Sequence, residues 1–279
     1  MAMTETNRTW LITGVSSGLG RALAQAALAA GDRVAGAVRK TADRQAFESL
    51  GDGGFGVIMD LSDEASVKVA VAEAEQRLGR IDILVNNAGY GLIGAVEEVS
   101  LAEARAQFEV NLFGTMAVIQ AVLPGMRARR AGRILNVTSV SGLAAWGGTG
   151  VYCASKFALE GLTQALAQEV AELGVKVTNI APGGLRTDYA GRSLVLSNTT
   201  LTDYDGAARF ARRTLSENAG REPGDPAKAA AAILMIASAA EPPLHLLLGE
   251  DAVHYATRAA GKLQTDLGEW IGLTTGIAC

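Results

Sequence analysis

Short apolar runs alternate with longer helix-forming stretches along nearly the whole chain, and this alternation limits the available folds more than any other feature. The runs fall at residues 10–13, 33–38, 56–61, 81–85, 133–138, 175–181 and 244–248, each followed by a helical pattern or a glycine-rich turn. Consecutive strands separated by helices pair in parallel, because an antiparallel pair closes with a tight hairpin whereas a parallel pair needs a crossover. The pattern therefore predicts an α/β fold, a doubly wound parallel sheet of about seven strands flanked by helices. At 279 residues the chain suits one such core better than two.

The first run ends in Thr13-Gly14-Val15-Ser16-Ser17-Gly18-Leu19-Gly20, and an Ala- and Leu-rich helix follows. Glycines in a first strand-to-helix turn let the backbone approach a phosphate, and the helix N-terminus favours its negative charge. The second run ends in Val38-Arg39-Lys40. In a dinucleotide fold an acid there would accept from the 2′-hydroxyl of NAD, whereas an Arg can pair with the 2′-phosphate of NADP. Val38 leaves the acidic role empty, so NADP(H) is the expected cofactor. The fourth run closes in Asn86-Asn87-Ala88-Gly89, small residues and amides at a strand's C-terminal end, where open α/β sheets bind ligands. Residues 101–126 read as one long helix with Asn111, a poor helix former, in its middle.

Tyr152 and Lys156 stand four apart in the helical stretch 151–173, which stacks them on one face. A phenol is a poor proton donor or acceptor near neutral pH unless a cation stabilises its anion, and Lys156 is placed to be that cation.

Taken together and in this order, Thr13-Gly14-x-x-x-Gly18-x-Gly20, Asp60, Asn86-Asn87-Ala88-Gly89, Asn111, Ser139, Tyr152-x-x-x-Lys156 and Pro182-Gly183 resemble the short-chain dehydrogenase/reductase family over residues 8–250. The run from Tyr152 through Lys156 and Phe157 to Glu160-Gly161 is similar to the hydroxysteroid and retinol dehydrogenase branch. The resemblance implies a Rossmann-type sheet and hydride transfer between NADP(H) and a carbonyl or alcohol. It makes Tyr152 the general acid or base, Lys156 the group that lowers its pKa and binds the nicotinamide ribose, Ser139 (rather than Ser141) the carbonyl's hydrogen-bond donor, and Asn111 the holder of a relay water. Gly14, Ser16, Ser17, Gly18, Leu19 and Gly20 would line the pyrophosphate, and Asp60 and Leu61 the adenine. Asn87, Ala88 and Gly89 would line the adenosine-side ribose, and Pro182, Gly183 and Thr187 the nicotinamide amide. An alcohol oxidiser, an epimerase or dehydratase on the same fold, and a silent nucleotide sensor remain open.

Other classes fit poorly. The only histidines, His245 and His254, stand far from any Gly-x-Ser-x-Gly elbow, and no His/Cys cluster offers a metal site. A net charge of −4 without a basic stripe disfavours nucleic acid. Residues 1–9 are polar, the apolar run 229–240 is too short for a bilayer, and Cys153 and Cys279 make no disulfide framework, so a cytoplasmic protein is expected. Residues 188–218 are expected to form a substrate lid, with Tyr189, Leu194, Val195, Leu196, Leu201, Tyr204 and Phe210 walling an apolar pocket and 197–200 and 203–206 supplying a hinge or flexible tip. No cation cluster is present to hold a multiply charged substrate. Phe108, Phe113 and Phe157 on the long helices suggest a second apolar face and a homodimer or homotetramer. A C-terminal extension, 251–279, has Trp270 as its one large apolar anchor and reaches toward the sheet edge or a partner subunit.

Overall fold

The computed structural model describes residues 7–187, 193–206 and 208–277. Seven parallel strands form the central sheet in the order β3-β2-β1-β4-β6-β7-β9: β1 Thr9–Thr13, β2 Arg33–Val38, β3 Gly54–Ile58, β4 Ile83–Asn86, β6 Gly132–Val137, β7 Val175–Pro182 and β9 His245–Leu248. From β1 the chain winds outward through β2 to β3, then returns to β4 on the other side of β1 and winds through β6 and β7 to β9. The reversal opens a crevice at the C-terminal ends of β1 and β4, the place such sheets use for ligands.

β1 and β4 are buried along their whole length, as expected of parallel strands covered on both faces. One face packs α1 (Gly18–Ala29), α2 (Thr41–Glu48) and α8 (Pro226–Ile236) over Ile12, Val34, Val85 and Leu135. The other packs α3 (Glu64–Leu78), α5 (Thr115–Arg129) and α6 (Gly150–Val170) over a row in register, Leu11, Leu84, Ile134 and Val177. Each fully buried side chain of this size contributes about 1.5–3 kcal/mol relative to exposure. Two residues further along three of these strands the same face turns polar, as Asn86, Asn136 and Asn179 stand side by side and His245 extends the row on β9.

Several expectations are corrected in detail. β3 stops at Ile58 because Asp60 turns the chain, its carboxylate accepting from the Ser62 amide and hydroxyl. The stretch 101–126 is three pieces running to residue 129: α4 (Leu101–Phe108), a π-helical turn (Glu109–Gly114) and α5. Of its expected second face, Phe113 is exposed, as is Phe157 on α6. α6 gives way to a short 3₁₀ turn at Ala171–Leu173, stopped by Gly174 in the left-handed conformation. Asp225 caps α8 and Pro226 opens it, as read, but α8 ends at Ile236 rather than residue 240.

Two further strands, β5 (Gly91–Ile93) and β8 (Leu194–Leu196), form a small parallel pair absent from the sequence reading. A helix α7 covers Ala208–Glu217, and α9 (Glu250–Glu269) and α10 (Ile271–Thr275) form the C-terminal extension. α9 meets the rest of the chain through its first turns, where Ala252 is buried, Asp251 accepts from the Gly184 amide and Tyr255 packs edge-on against Trp146. Trp270 is 60% exposed in the single chain, so it does not pack against the sheet edge.

Candidate active site

The glycine turn lies at the crevice. Gly14 and Gly18 adopt φ of +73° and +59°, which side chains rarely tolerate. A Cβ on Gly20 would drive into the Gly14 carbonyl and the Asn87 amide. α1 begins at Gly18 with no side-chain cap and no acid in its first turn, so its leading N–H groups have no local side-chain partner. These features fit a diphosphate, with Ser16, Ser17 and Leu19 on the same turn. Thr187 comes across from the end of β7, 3.5 Å from where a Gly18 Cβ would stand, so the Pro182–Gly183–Thr187 segment faces the turn.

Thr13 and Asn87 brace the crevice, a role that sequence spacing did not reveal. The Thr13 hydroxyl accepts from the amides of Asn87 (2.9 Å) and Ala88 (3.0 Å). The Asn87 carboxamide donates back to the carbonyls of Thr13 and Gly14. At the far end Arg39 is exposed beyond buried Val38. It helps hold the Asp60 carboxyl below its ordinary range, after the larger effect of the Ser62 hydrogen bonds. Leu61 beside it is buried, and its carbonyl would be struck by a Cβ on Gly114.

On the opposite wall α6 carries Tyr152 and Lys156. Lys156 is 5% exposed, and its ammonium donates to the Val137 carbonyl at 2.9 Å. Burial lowers its pKa from 10.5 to about 8, against the opposing charge of Glu160. A Cβ on Gly89 would lie 3.0 Å from Asn111 Oδ1 and 3.6 Å from Lys156 Nζ, so these three residues meet.

The π turn explains Asn111. Such turns insert one residue into a helix and are frequent at functional sites. Here the Asn111 carboxamide takes the Tyr90 backbone from both sides, Oδ1 accepting from its N–H (3.1 Å) and Nδ2 donating to its carbonyl (3.0 Å). Nδ2 also reaches Ser155 Oγ, whose hydroxyl donates to the Tyr152 carbonyl. The side chain thus ties the end of β4 to α6, and a water here would need another atom of Asn111 than its engaged amide. Gln107, fully buried, adds a second donor to the Tyr90 carbonyl.

Ser139 follows β6 in extended conformation and its hydroxyl accepts from the Ser141 amide at 3.0 Å, so Ser141 supports the loop. Gly142 lets this loop lie against α6, since a Cβ there would press on the Lys156 carbonyl and the Glu160 side chain. Gly89, Asn111 and Lys156 thus lie together, and the loop that carries Ser139 packs on the helix that carries Tyr152.

The lid region is more firmly tied than its composition suggested. β8 pairs with β5, and Glu98, 5% exposed, accepts from the amides of Ala95 and Leu201, both at 2.8 Å. Glu103 accepts from the Asn198 amide, which ties the stretch 197–200 to α4 in this structure. Val195 and Leu196 are exposed at 46% and 38%, while Leu194, Leu201 and Tyr204 are half-buried. Tyr189 and the side chain of Phe210 lie outside the described residues.

A doubly wound sheet with a glycine turn at its switch point and a Tyr/Lys helix opposite defines a nicotinamide-dependent oxidoreductase. The family model described as short chain dehydrogenase matches residues 8–194. Retinol dehydrogenase 8 of Bos taurus is 36% identical over 260 residues, covering 87% of this chain and 81% of the relative. A short-chain dehydrogenase structure from Streptomyces avermitilis superposes with a TM-score of 0.93 at 38% identity, covering 99% of this chain and all of the other. One from Burkholderia phymatum in complex with NAD gives 0.80 at 25% identity, covering 96% of each chain. The chain belongs to the short-chain dehydrogenase/reductase family, on its retinol dehydrogenase-like branch.

Proposed function

We propose that this protein is an NADP(H)-dependent ketoreductase acting on a largely apolar carbonyl compound and its secondary alcohol. The observation that supports it most is the buried ammonium of Lys156, one helical turn from Tyr152 and in contact range of Gly89 and Asn111. When bound, the cofactor supplies or accepts the hydride. Tyr152 gives its phenolic proton to the carbonyl oxygen in reduction and takes it back in oxidation. Ser139 donates a hydrogen bond to that oxygen as negative charge develops on it. Lys156, charged at neutral pH, stabilises the phenolate left behind, and Asn111 fixes the Tyr90 backbone and α6 on either side of it.

The coenzyme choice rests on Arg39. It is exposed at the end of β2 with no acid at 38, and one carboxylate, Asp60, lies near it. Like charge against the 2′-phosphate costs several kcal/mol. Arg39→Asp should therefore invert the preference to NADH, while the native enzyme should use NADPH more efficiently. Equal efficiency with both coenzymes in the native enzyme would remove Arg39 from this role. The substrate class rests on the half-buried Leu194, Leu201 and Tyr204. A panel of carbonyl compounds, followed by nicotinamide absorbance, should favour uncharged cyclic or long-chain ketones over keto acids, and the reverse order would overturn the apolar reading.

A further inference from the structure

Glu160 stands on α6 one turn beyond Lys156, in a spacing that reads in sequence as a solvated Lys/Glu pair. It is instead 2% exposed. Three strands converge on it. From the end of β6 the Thr138 hydroxyl lies 2.6 Å from Oε1, and from β7 the Asn179 amide donates to Oε2 at 2.6 Å. From β9 the His245 Nδ1 lies 3.2 Å from Oε2, close enough for an ion pair but off the line of a hydrogen bond. Lys156 and His245 are the titratable groups acting on Glu160 among the described residues, since Thr138 and Asn179 are neutral.

Thr138 sits between Val137, whose carbonyl holds Lys156, and Ser139. A group that grips Thr138 from α6 therefore fixes the spacing between the Ser139 loop and the helix that carries Lys156. Its charge and the buried Lys156 ammonium act on each other in the protein interior, where electrostatic effects are strong.

Resting on the ketoreductase reading above, we propose that Glu160 is a positioning residue that acts on the reaction through Lys156 and Ser139: as a carboxylate it keeps the Lys156 ammonium charged and holds the end of β6 against α6, with His245 as its partner from the sheet edge. Burial raises the Glu160 pKa, and the Thr138 hydrogen bond and the His245 and Lys156 charges oppose that rise. Burial lowers that of Lys156 to about 8, which the Glu160 charge opposes. Removing a negative charge makes either Tyr152 or Lys156 lose its proton more easily, whichever goes first. The pH above which ketone reduction fails must then fall.

The test is the pH profile of kcat for ketone reduction in the native enzyme, Glu160→Gln and Glu160→Asp, with NADPH affinity and thermal midpoint measured alongside. Glu160→Gln keeps the shape and should move the alkaline limb down by about one pH unit. Glu160→Asp keeps the charge but falls short of Thr138, so its limb should stay near the native position while kcat drops several-fold. A limb unmoved in Glu160→Gln, or displaced equally in both variants, would overturn the proposal. If Glu160→Gln does not fold, Glu160→Asp carries the test: a several-fold fall in kcat with a native limb supports the proposal, and a native kcat or a shifted limb contradicts it. A native enzyme without turnover on any carbonyl would count against the ketoreductase reading, a different failure.

Discussion

Tyr152→Phe should bind NADPH as the native protein does and reduce its ketone more slowly by about two to four orders of magnitude, the usual worth of general acid catalysis. The substitution removes one oxygen from α6 and spares the hydrogen bonds made by Ser155 and Lys156. The Ser155 hydroxyl bonds to the backbone carbonyl of residue 152, not to the ring, so the Asn111–Ser155 tie survives. Lys156 keeps its bond to Val137. A loss of turnover with unchanged coenzyme affinity and thermal midpoint assigns the effect to the proton. Near-native turnover would mean that another group protonates the product, and Ser139 would be the next to examine.

Gly20→Ala should reduce coenzyme affinity by about one to two orders of magnitude. The added methyl carbon would come within 3.0 Å of the Gly14 carbonyl and of the Asn87 carboxamide. The first is backbone and cannot swing away, and the second already bonds to the carbonyls of Thr13 and Gly14. Overpacking of this kind costs about 1–3 kcal/mol, with each 1.4 kcal/mol a factor of ten in binding. The displaced turn is the one whose geometry fits a diphosphate. Gly261→Ala is the control: nothing lies within 4 Å of a Cβ there, on an exposed turn of α9, and the change should stabilise the helix by about 1 kcal/mol without touching kinetics. Isothermal titration with NADPH separates the two. Equal affinity in Gly20→Ala and the native protein would show that the turn yields freely.

Much of this architecture is legible in the sequence because its signals are local. β1 and the glycine turn are read from Trp10 to Gly20, and Tyr152 and Lys156 meet through helical spacing alone. Asp225 and Pro226 mark the start of α8 by capping chemistry that involves no distant residue. What was missed depends on residues far apart in the chain. β5 and β8 are three residues each and are strands only because residues 91–93 meet 194–196. Glu98 reads as a surface acid until Leu201 is seen to donate to it. Asn111 shows itself as an anomaly within a helix, but not what it holds, since Tyr90 lies in another element. Glu160 is hidden most thoroughly. Its neighbours Thr138, Asn179 and His245 come from three strands, and nothing near position 160 signals a buried acid. In the C-terminal extension Trp270 and Leu273 stand 60% and 70% exposed on the single chain, so the sheet edge is not what their apolar composition serves.

The account turns on hydride passing between coenzyme and carbonyl carbon at a site where Tyr152 handles the proton. NADPH carrying deuterium on the reactive carbon of its nicotinamide ring tests this directly. With an apolar ketone, mass spectrometry of the product alcohol should find one deuterium on the carbinol carbon for each coenzyme oxidised, delivered from a single face of the ring. An isomerised or dehydrated product that carries no label, formed without net loss of NADPH, would contradict it.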